Sequence, residues 1–228
     1  MTTGVGLFAK PAVPGAVKTR LCPPLSPERA ATLYRAFLGD LAERLDAHPA
    51  ISWWVFSTDP EAQRATWPDD APLPARWEAQ RGRDLGERMD AAMCALWEAG
   101  CRDAVLVGSD HPTLPLDRIN QAATLLDTRD LVLGPSLDGR YYLVAARSPV
   151  SGIFSDVPWS TPDVLGVTLE RVRALGLRPA FLEPWFDVDR PEDLAFLANQ
   201  LAAWELECPG SGPCPRTSLA LEGLPRQL

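Results

Sequence analysis

The sequence lacks any continuous apolar run of the roughly 18 residues that a membrane-spanning helix requires. Its first residues also lack the positively charged start and the long apolar stretch of a secretory signal peptide. These two absences argue against a membrane span and against export. We therefore expect no membrane span and a cytoplasmic location.

Cysteine and histidine are scarce. The five cysteines, Cys22, Cys94, Cys101, Cys208 and Cys214, form an odd and scattered set, which is not the pattern of a disulfide framework. Two of them lie close in the sequence, but no second pair or histidine cluster completes a zinc site. We expect reduced thiols.

Positive charge is in deficit, with 22 Lys and Arg against 30 Asp and Glu and a net charge of −8. This balance argues against a general nucleic-acid binder and against a protein of anionic membrane surfaces. The chain of 228 residues, 46% of them hydrophobic, is long enough for one sizeable domain. No feature of the sequence selects an oligomeric state.

Strand and helix patterns alternate along the chain, which predicts a mostly parallel, doubly wound α/β sheet. Strands are predicted at 4–8, 51–56, 104–107, 130–133, 141–145 and 179–182, and helices from 26 onward and at 84–99, 116–126, 161–175 and 191–204. Residues 58–77 contain several prolines and are predicted to be irregular. We expect a single domain over 1–206, followed by a Pro/Gly-rich tail at 207–228.

A basic loop follows the first predicted strand. Lys10, Lys18 and Arg20 lie in it around Gly15, in a protein that is otherwise acidic. Backbone N–H groups and these cations suit phosphate oxygens. The spacing is not that of a Walker A loop, and a merely solvated loop is about as probable from residue types alone.

Asp110 follows the apolar run 104–107, in the motif Gly108-Ser109-Asp110-His111-Pro112. An acidic residue at the carboxyl end of a buried parallel strand lies where open α/β sheets bind ligands. The alternative is a turn or cap aspartate. We expect His111 to be a solvated loop residue without a catalytic role.

A second acidic pair, Asp187 and Asp189, lies far downstream. In an extended segment their carboxylates point the same way, and with Asp110 they suit a hard divalent cation and, through it, a nucleotide phosphate. Asp189 is alternatively the N-cap of the following helix, with Glu192 completing a capping box.

Three further stretches are candidate binding elements. Asp84, Gly86 and Arg88 lie at the start of a helix that could face the nucleotide, although capping by Asp84 explains them equally well. Asp138-Gly139 is a strong hairpin signal, and its loop could also contact an acceptor through Asp138 or Tyr141. Trp159, Ser160 and Thr161 precede a helix and could line the same pocket.

Together these stretches resemble one family. In order they are Phe8-Ala9-Lys10 with 14–15 and 18–21, 84–89, 108–114, 133–135 with 138–143, and 159–161 followed by 187–194. The set resembles the DUF2064 proteins of the GT-A superfamily, which are also labelled arsenosugar-biosynthesis-type glycosyltransferases or selenodomain-associated transferases. Sugar nucleotidylyltransferases and the guanylyltransferases of deazaflavin cofactor synthesis are more distant relatives.

The resemblance implies a Rossmann-like, three-layer α/β/α nucleotide-diphospho-sugar transferase fold with a mostly parallel mixed sheet. It implies Asp110, Asp187 and Asp189 as ligands of Mg²⁺ or Mn²⁺, and Lys18, Arg20 and Asp110 as catalytic residues. The implied nucleotide-binding residues are Phe8, Ala9, Lys10, Gly15, Lys18, Arg20, Asp84, Gly86, Arg88, Gly108 and Ser109, and the implied substrate residues are Asp138, Gly139, Tyr141, Trp159 and Thr161. The sequence departs from the family at Arg140, where glycine is usual, and at His111, where a small residue is common.

The expected activity is metal-dependent transfer from a nucleotide-activated donor to a small-molecule acceptor. Glycosyl transfer from a nucleotide-sugar is favoured by the family label. Nucleotidylyl transfer from a nucleoside triphosphate is the alternative, and the cluster of Lys10, Lys18 and Arg20 suits it better because a triphosphate carries more charge. A catalytically inactive nucleotide-binding protein is the third possibility, ranked last because all three carboxylates are present.

Overall fold

The structure is a computed structural model that describes residues 2–222. Within these residues one sheet contains β1 (Thr3–Ala9), β2 (Ile51–Ser57), β3 (Arg76–Ala79), β4 (Asp103–Gly108), β5 (Leu131–Pro135), β6 (Tyr141–Ala146) and β7 (Pro179–Phe181). The strand order is β3-β2-β1-β4-β6-β5-β7. Only β6 runs antiparallel to its neighbours, β4 and β5, among these strands. The predicted mostly parallel mixed sheet is confirmed.

Helices cover both faces of this sheet. They are α1 (Pro27–Asp46), α2 (Pro60–Ala65), α3 (Leu85–Glu98), α4 (Asp117–Leu125), α5 (Val164–Ala174), α6 (Pro191–Glu207) and α7 (Pro215–Leu221), with a 3-10 turn at Thr19–Leu21. Alternate strand residues face opposite sides. Val105 and Val107 of β4 pack with α1, α4 and α6, whereas Ala104 and Leu106 pack with α3 and α5. The three-layer α/β/α architecture is thereby confirmed.

Helix boundaries follow capping signals. Ser26 accepts a hydrogen bond from the Arg29 backbone N–H at 3.3 Å at the start of α1. Asp84 accepts one from the Glu87 N–H at 2.9 Å at the start of α3. The helix predicted from residue 161 begins instead at Val164, after a turn in which Thr161 Oγ1 accepts a hydrogen bond from the Asp163 N–H.

The prediction that residues 58–77 are irregular was wrong for 60–65, which are helical, and for 76–77, which belong to a strand, and it holds for 66–75. Asp59 caps α2 by accepting a hydrogen bond from the Ala62 N–H at 3.0 Å, and Pro60 begins that helix. β3 then adds a parallel edge strand beside β2. Its Trp77 packs edge-to-face on Trp67, with ring centroids 4.9 Å apart. Capping by Asp59 and the packing of Trp77 therefore stabilise a helix and a strand in a segment whose prolines predicted neither.

The described part of the tail predicted at 207–228 packs against the domain through α7, and residues 223–228 lie outside the described residues. α7 lies against α1, because the buried Asp40 carboxylate accepts hydrogen bonds from the backbone N–H groups of Arg216 at 3.1 Å and Thr217 at 2.8 Å. Cys214 is buried, and its Sγ–H donates to the Pro112 carbonyl at 3.0 Å. The segment therefore supports the loop that follows β4. Within residues 2–222 no helix combines the length and the apolar character needed to cross a membrane.

Candidate active site

The candidate site lies at the carboxyl ends of β1 and β4, which are neighbouring parallel strands with Phe8 opposite Gly108. Tyr34 of α1 connects the loops that follow them. Its hydroxyl accepts a hydrogen bond from the Lys10 N–H at 3.1 Å and lies 2.7 Å from Ser109 Oγ. The basic loop and the Asp110 loop therefore meet at one edge of the sheet, as expected for ligand sites in such folds.

Lys18 is the central cation of the site. Its side chain is only 4% exposed, and its Nζ lies 2.5 Å from Asp110 Oδ1 and 3.0 Å from Asp189 Oδ1. Nζ also donates to the Val188 carbonyl at 2.7 Å. An ammonium group has three donors, so these three oxygens account for all of them. Lys18 therefore joins the end of β4 to the β7–α6 connection, and its amine contacts protein oxygens rather than lying free for the phosphate oxygens that the sequence suggested.

Arg140 is the second cation among the carboxylates. One guanidinium nitrogen, Nη2, donates to Asp187 Oδ2 at 3.1 Å and to Asp189 Oδ2 at 3.2 Å. Its Nε pairs with Asp138 in the hairpin between β5 and β6. The sequence marked Arg140 only as a departure from the family pattern, and gave no sign of this contact because the partners lie some fifty residues away.

The acidic pair does not cap α6 in the predicted way. Asp193, rather than Glu192, turns its carboxylate back to the helix start, where Oδ2 accepts from the Asp189 and Arg190 N–H groups at 2.9 and 2.7 Å. The Asp189 carboxylate is thereby left for Lys18, Arg140 and Arg20. The distance from Asp189 Oδ2 to Arg20 Nη1 is long, at 3.5 Å, and the Arg20 side chain is 57% exposed.

Burial and charge set the protonation of these groups. Burial alone would lower the pKa of Lys18, but attraction to Asp110 and Asp189 outweighs it and raises the pKa above its ordinary value. Burial would raise the pKa of Asp189, but Lys18 and Arg140 hold it below the usual range. Burial dominates at Asp187 and raises its pKa, although Ser136 donates to its Oδ1 at 2.9 Å.

A cavity of about 170 Å³ opens beside these charges. Its apolar wall includes Phe8, Tyr141 and Trp159, and the rings of Tyr141 and Trp159 pack edge-to-face with centroids 6.5 Å apart. Its polar side includes Asp110 and Asp187. The aromatic surface suits a nucleobase or a carbon skeleton, and the polar side suits a charged group.

His111 was expected to be solvated, and this was wrong. It is buried, and its Nδ1 lies 2.9 Å from the Phe186 carbonyl oxygen. A carbonyl only accepts hydrogen bonds, so Nδ1 is the donor in this contact. The ring also packs edge-to-face on Tyr142, which fixes the Asp110 loop against the sheet.

The structure brings together part of the predicted set. The predicted residues that line the cavity are Phe8, Gly108, Asp110, Asp138, Tyr141, Trp159 and Asp187. Lys18, Arg20, Ser109 and Asp189 lie just behind or beside it through the contacts above. Ala9 ends β1, and Lys10 follows it directly.

Other predicted residues have structural roles. Asp84 caps α3, and Arg88 Nε donates to the Gly82 carbonyl at 3.2 Å. Gly86 lets α3 approach Phe154 and Trp159, where a Cβ would be too close. The remaining three lie in turns: Gly139 has φ +87°, Gly15 has φ +78°, and Thr161 is in the turn before α5.

The three carboxylates predicted to bind Mg²⁺ or Mn²⁺ have the right ligand chemistry, because hard divalent cations prefer oxygen donors. Their arrangement differs from that of a metal site. Lys18 and Arg140 lie between them, and no group of three or more His, Cys, Asp or Glu side chains in the described part of the chain is placed to hold an ion. As arranged, Asp110, Asp187 and Asp189 do not fit a metal ion and instead hold the protein's own cations.

Residues 32–161, more than half of the chain, match the model of the DUF2064 family, described as "Uncharacterized protein conserved in bacteria". A 3-phospho-D-glycerate guanylyltransferase from Phenylobacterium zucineum (strain HLK1) is 31% identical over 210 residues, covering 87% of this chain and 86% of the relative.

A solved structure from Desulfovibrio desulfuricans G20, whose description provisionally names it a nucleotide-diphospho-sugar transferase, is also similar. It is 32% identical and superposes with a TM-score of 0.84 over 97% of this chain and 94% of its own. A CMP-2-keto-3-deoxy-manno-octonic acid synthetase in complex with CTP shares the fold alone, with 14% identity and a TM-score of 0.56 over 89% of this chain and 99% of its own. The fold is therefore that of nucleotidylyltransferases and nucleotide-sugar transferases.

Proposed function

The chain belongs to the DUF2064 family and is a transferase, and from that premise we propose that it is a nucleotidylyltransferase. It would join a nucleoside triphosphate to a phosphorylated small-molecule acceptor and release pyrophosphate. Glycosyl transfer, which the sequence favoured, becomes the second candidate. No nucleic acid takes part in either reaction.

The observation that carries this proposal is the meeting of the basic loop with a carboxylate-lined cavity at one edge of the sheet. Arg20 remains mostly exposed although it reaches Asp189, and the Lys10 side chain is also exposed. Both are available to phosphate oxygens. A triphosphate presents more negative charge to such a loop than the diphosphate of a nucleotide-sugar, and the guanylyltransferase relative extends over most of the chain.

Each residue has a distinct part in the proposed reaction. Arg20 and Lys10 bind the β- and γ-phosphates, and Lys18 keeps the loop closed against Asp110 and Asp189. The ring of Phe8 packs against the nucleobase or against the carbon skeleton of the acceptor. An oxygen of the acceptor phosphate attacks the α-phosphorus, the α–β phosphoanhydride bond breaks, and pyrophosphate leaves with that electron pair.

Mg²⁺ or Mn²⁺ remains the proposed cofactor, accompanying the nucleotide into the site. A divalent cation bound to a triphosphate supplies charge neutralisation. The residues of this chain position the two substrates and contribute further positive charge.

Glycosyl transfer is retained because the similar structure from D. desulfuricans is described in those terms. In that reaction the acceptor attacks the sugar carbon, and a nucleoside diphosphate leaves. The same loop and cavity would bind the donor, so the identity of the released group distinguishes the two candidates.

The experiment measures that group. The protein is incubated with GTP, ATP, CTP or UTP and 3-phospho-D-glycerate, with Mg²⁺ or Mn²⁺, and pyrophosphate and the nucleotide-linked acceptor are measured. GTP is the first choice because the curated relative is a guanylyltransferase. A parallel series uses nucleotide-sugars and measures released nucleoside diphosphate.

Acceptor-dependent pyrophosphate release together with the joined product supports the proposal. Release of nucleoside diphosphate from a nucleotide-sugar, with no pyrophosphate from any triphosphate, contradicts it in favour of glycosyl transfer. Thermal stability is followed in both series, since a ligand that binds the folded state raises it. No stabilisation by any nucleotide would refute both candidates.

A further inference from the structure

The carboxylate cluster of Asp110, Asp187 and Asp189 holds two cations of different character. Lys18 is buried, and its three donors are each used by a separate oxygen. Arg140 has a side chain that is 34% exposed, and it lies on the β5–β6 hairpin. Lys18 is therefore enclosed by the protein, whereas Arg140 is partly open to solvent.

Arg140 covers the oxygens that a metal ion would need. Its Nη2 lies 3.1 Å from Asp187 Oδ2 and 3.2 Å from Asp189 Oδ2, so one nitrogen bridges the two carboxylates. The other oxygen of Asp187 accepts from Ser136, and the other oxygen of Asp189 accepts from Lys18. With Arg140 in place, both carboxylates have a partner on each oxygen.

We propose that Arg140 occupies the divalent-cation position between Asp187 and Asp189, and thereby weakens the binding of divalent cations to the nucleotide-free protein. The guanidinium acts in two ways, because it takes the carboxylate oxygens and because its positive charge repels an arriving cation. Displacement of Arg140 opens that position. This effect belongs to the nucleotide-free protein and does not depend on which group is transferred.

The size of the effect follows from the charges. A single and a double positive charge about 5 Å apart repel each other enough, even at the dielectric constant of bulk water, to change binding by roughly tenfold. Partial burial increases that repulsion, and salt decreases it. Removing the charge of Arg140 is therefore expected to tighten cation binding by at least fivefold.

The test is a Mn²⁺ titration of the nucleotide-free protein, with free Mn²⁺ measured by electron paramagnetic resonance. Arg140→Gln removes the charge while keeping hydrogen-bond donors and much of the side-chain volume. It is expected to bind Mn²⁺ at least fivefold more tightly than the wild type. The rise in Tm caused by Mn²⁺ should also be larger in this variant, which provides a second reading and shows that the variant is folded.

Two comparisons make the result specific. Arg178→Gln removes a surface arginine that pairs with Asp130, and should leave the affinity unchanged. The double variant Arg140→Gln with Asp187→Asn should lose the gain, because it also removes a carboxylate that the loss of Arg140 uncovers. A gain below fivefold in Arg140→Gln, an equal gain in Arg178→Gln, or a gain that persists in the double variant would each overturn the proposal.

Discussion

Replacing Lys18 with methionine is expected to destabilise the protein by about 2–3 kcal/mol at pH 7. Removing one partner of a buried ion pair typically costs ~3–5 kcal/mol, because the other charge is left uncompensated. Two features reduce the loss here. The Asp110 side chain is 43% exposed and so regains water, and Asp189 keeps its contacts with Arg140 and Arg20.

The pH dependence of this loss has a defined sign. The pKa of Asp189 in the folded protein lies below its ordinary value of 3.8, so its stabilisation is present above that pH and is lost as the pH falls through the folded value. The pKa of Lys18 is raised above 10.5, so its stabilisation is present below that pH and is lost as the pH rises further. The difference between the two proteins should be constant between these limits and shrink at both ends.

Urea denaturation at several pH values measures the free energy of unfolding of both proteins, and the slope of the transition should not change. Lys10→Met is the matched control, since its side chain lies exposed in the same loop and should change stability by less than ~0.5 kcal/mol. A Lys18→Met protein as stable as the wild type at pH 7, or a difference that grows in acid, would refute the reasoning.

Three further substitutions test other contacts. Tyr34→Phe leaves the Lys10 N–H and Ser109 without their buried partner, so unfolding experiments should show a loss of ~1–3 kcal/mol. Arg44→Ala frees the carbonyls of Pro112 and Leu114, which the guanidinium holds, and hydrogen exchange in that loop should become faster while exchange in β1 does not change. Asp193→Ala removes the cap of α6, with an expected loss of ~1 kcal/mol by urea denaturation.

For each of these three substitutions, one outcome would show that the contact does not have the expected effect. An unchanged Tyr34→Phe protein would mean that water replaces the hydroxyl. Equal acceleration of exchange throughout the Arg44→Ala protein would show general destabilisation rather than release of the loop. An Asp193→Ala protein with wild-type stability would show that the N–H groups at the start of α6 are satisfied by solvent.

The sequence predicted the sheet well where the pattern was local. Val105 and Val107 belong to a short β-branched run that glycine and proline bound, and Asp110 directly follows it, so both strand and site position were readable. The prolines of residues 58–77 predicted an irregular segment. They did not indicate α2, which Asp59 caps, or β3, whose Trp77 packs on Trp67 in the tertiary structure.

The site was predicted less completely, because its chemistry depends on contacts between distant parts of the chain. The sequence identified Lys18 as a basic residue, but its burial depends on Asp189 and Val188, some 170 residues away. Arg140 stood out only as a departure from the family pattern, and the sequence indicated its partners Asp187 and Asp189 as metal ligands, with Asp189 alternatively a helix cap. Side-chain identity gave the charges, and the fold decided which charges neutralise each other.

The contrast between the two lysines has a practical consequence. Lys10 and Lys18 are the lysines of the whole sequence, and both lie in the loop that follows β1. The first is exposed, whereas the second is 4% exposed and held by three oxygens. Amine-reactive reagents should therefore modify Lys10 and spare Lys18 in the folded protein, so that ordinary acylation chemistry places a single side-chain label at the edge of the candidate site without any engineered residue.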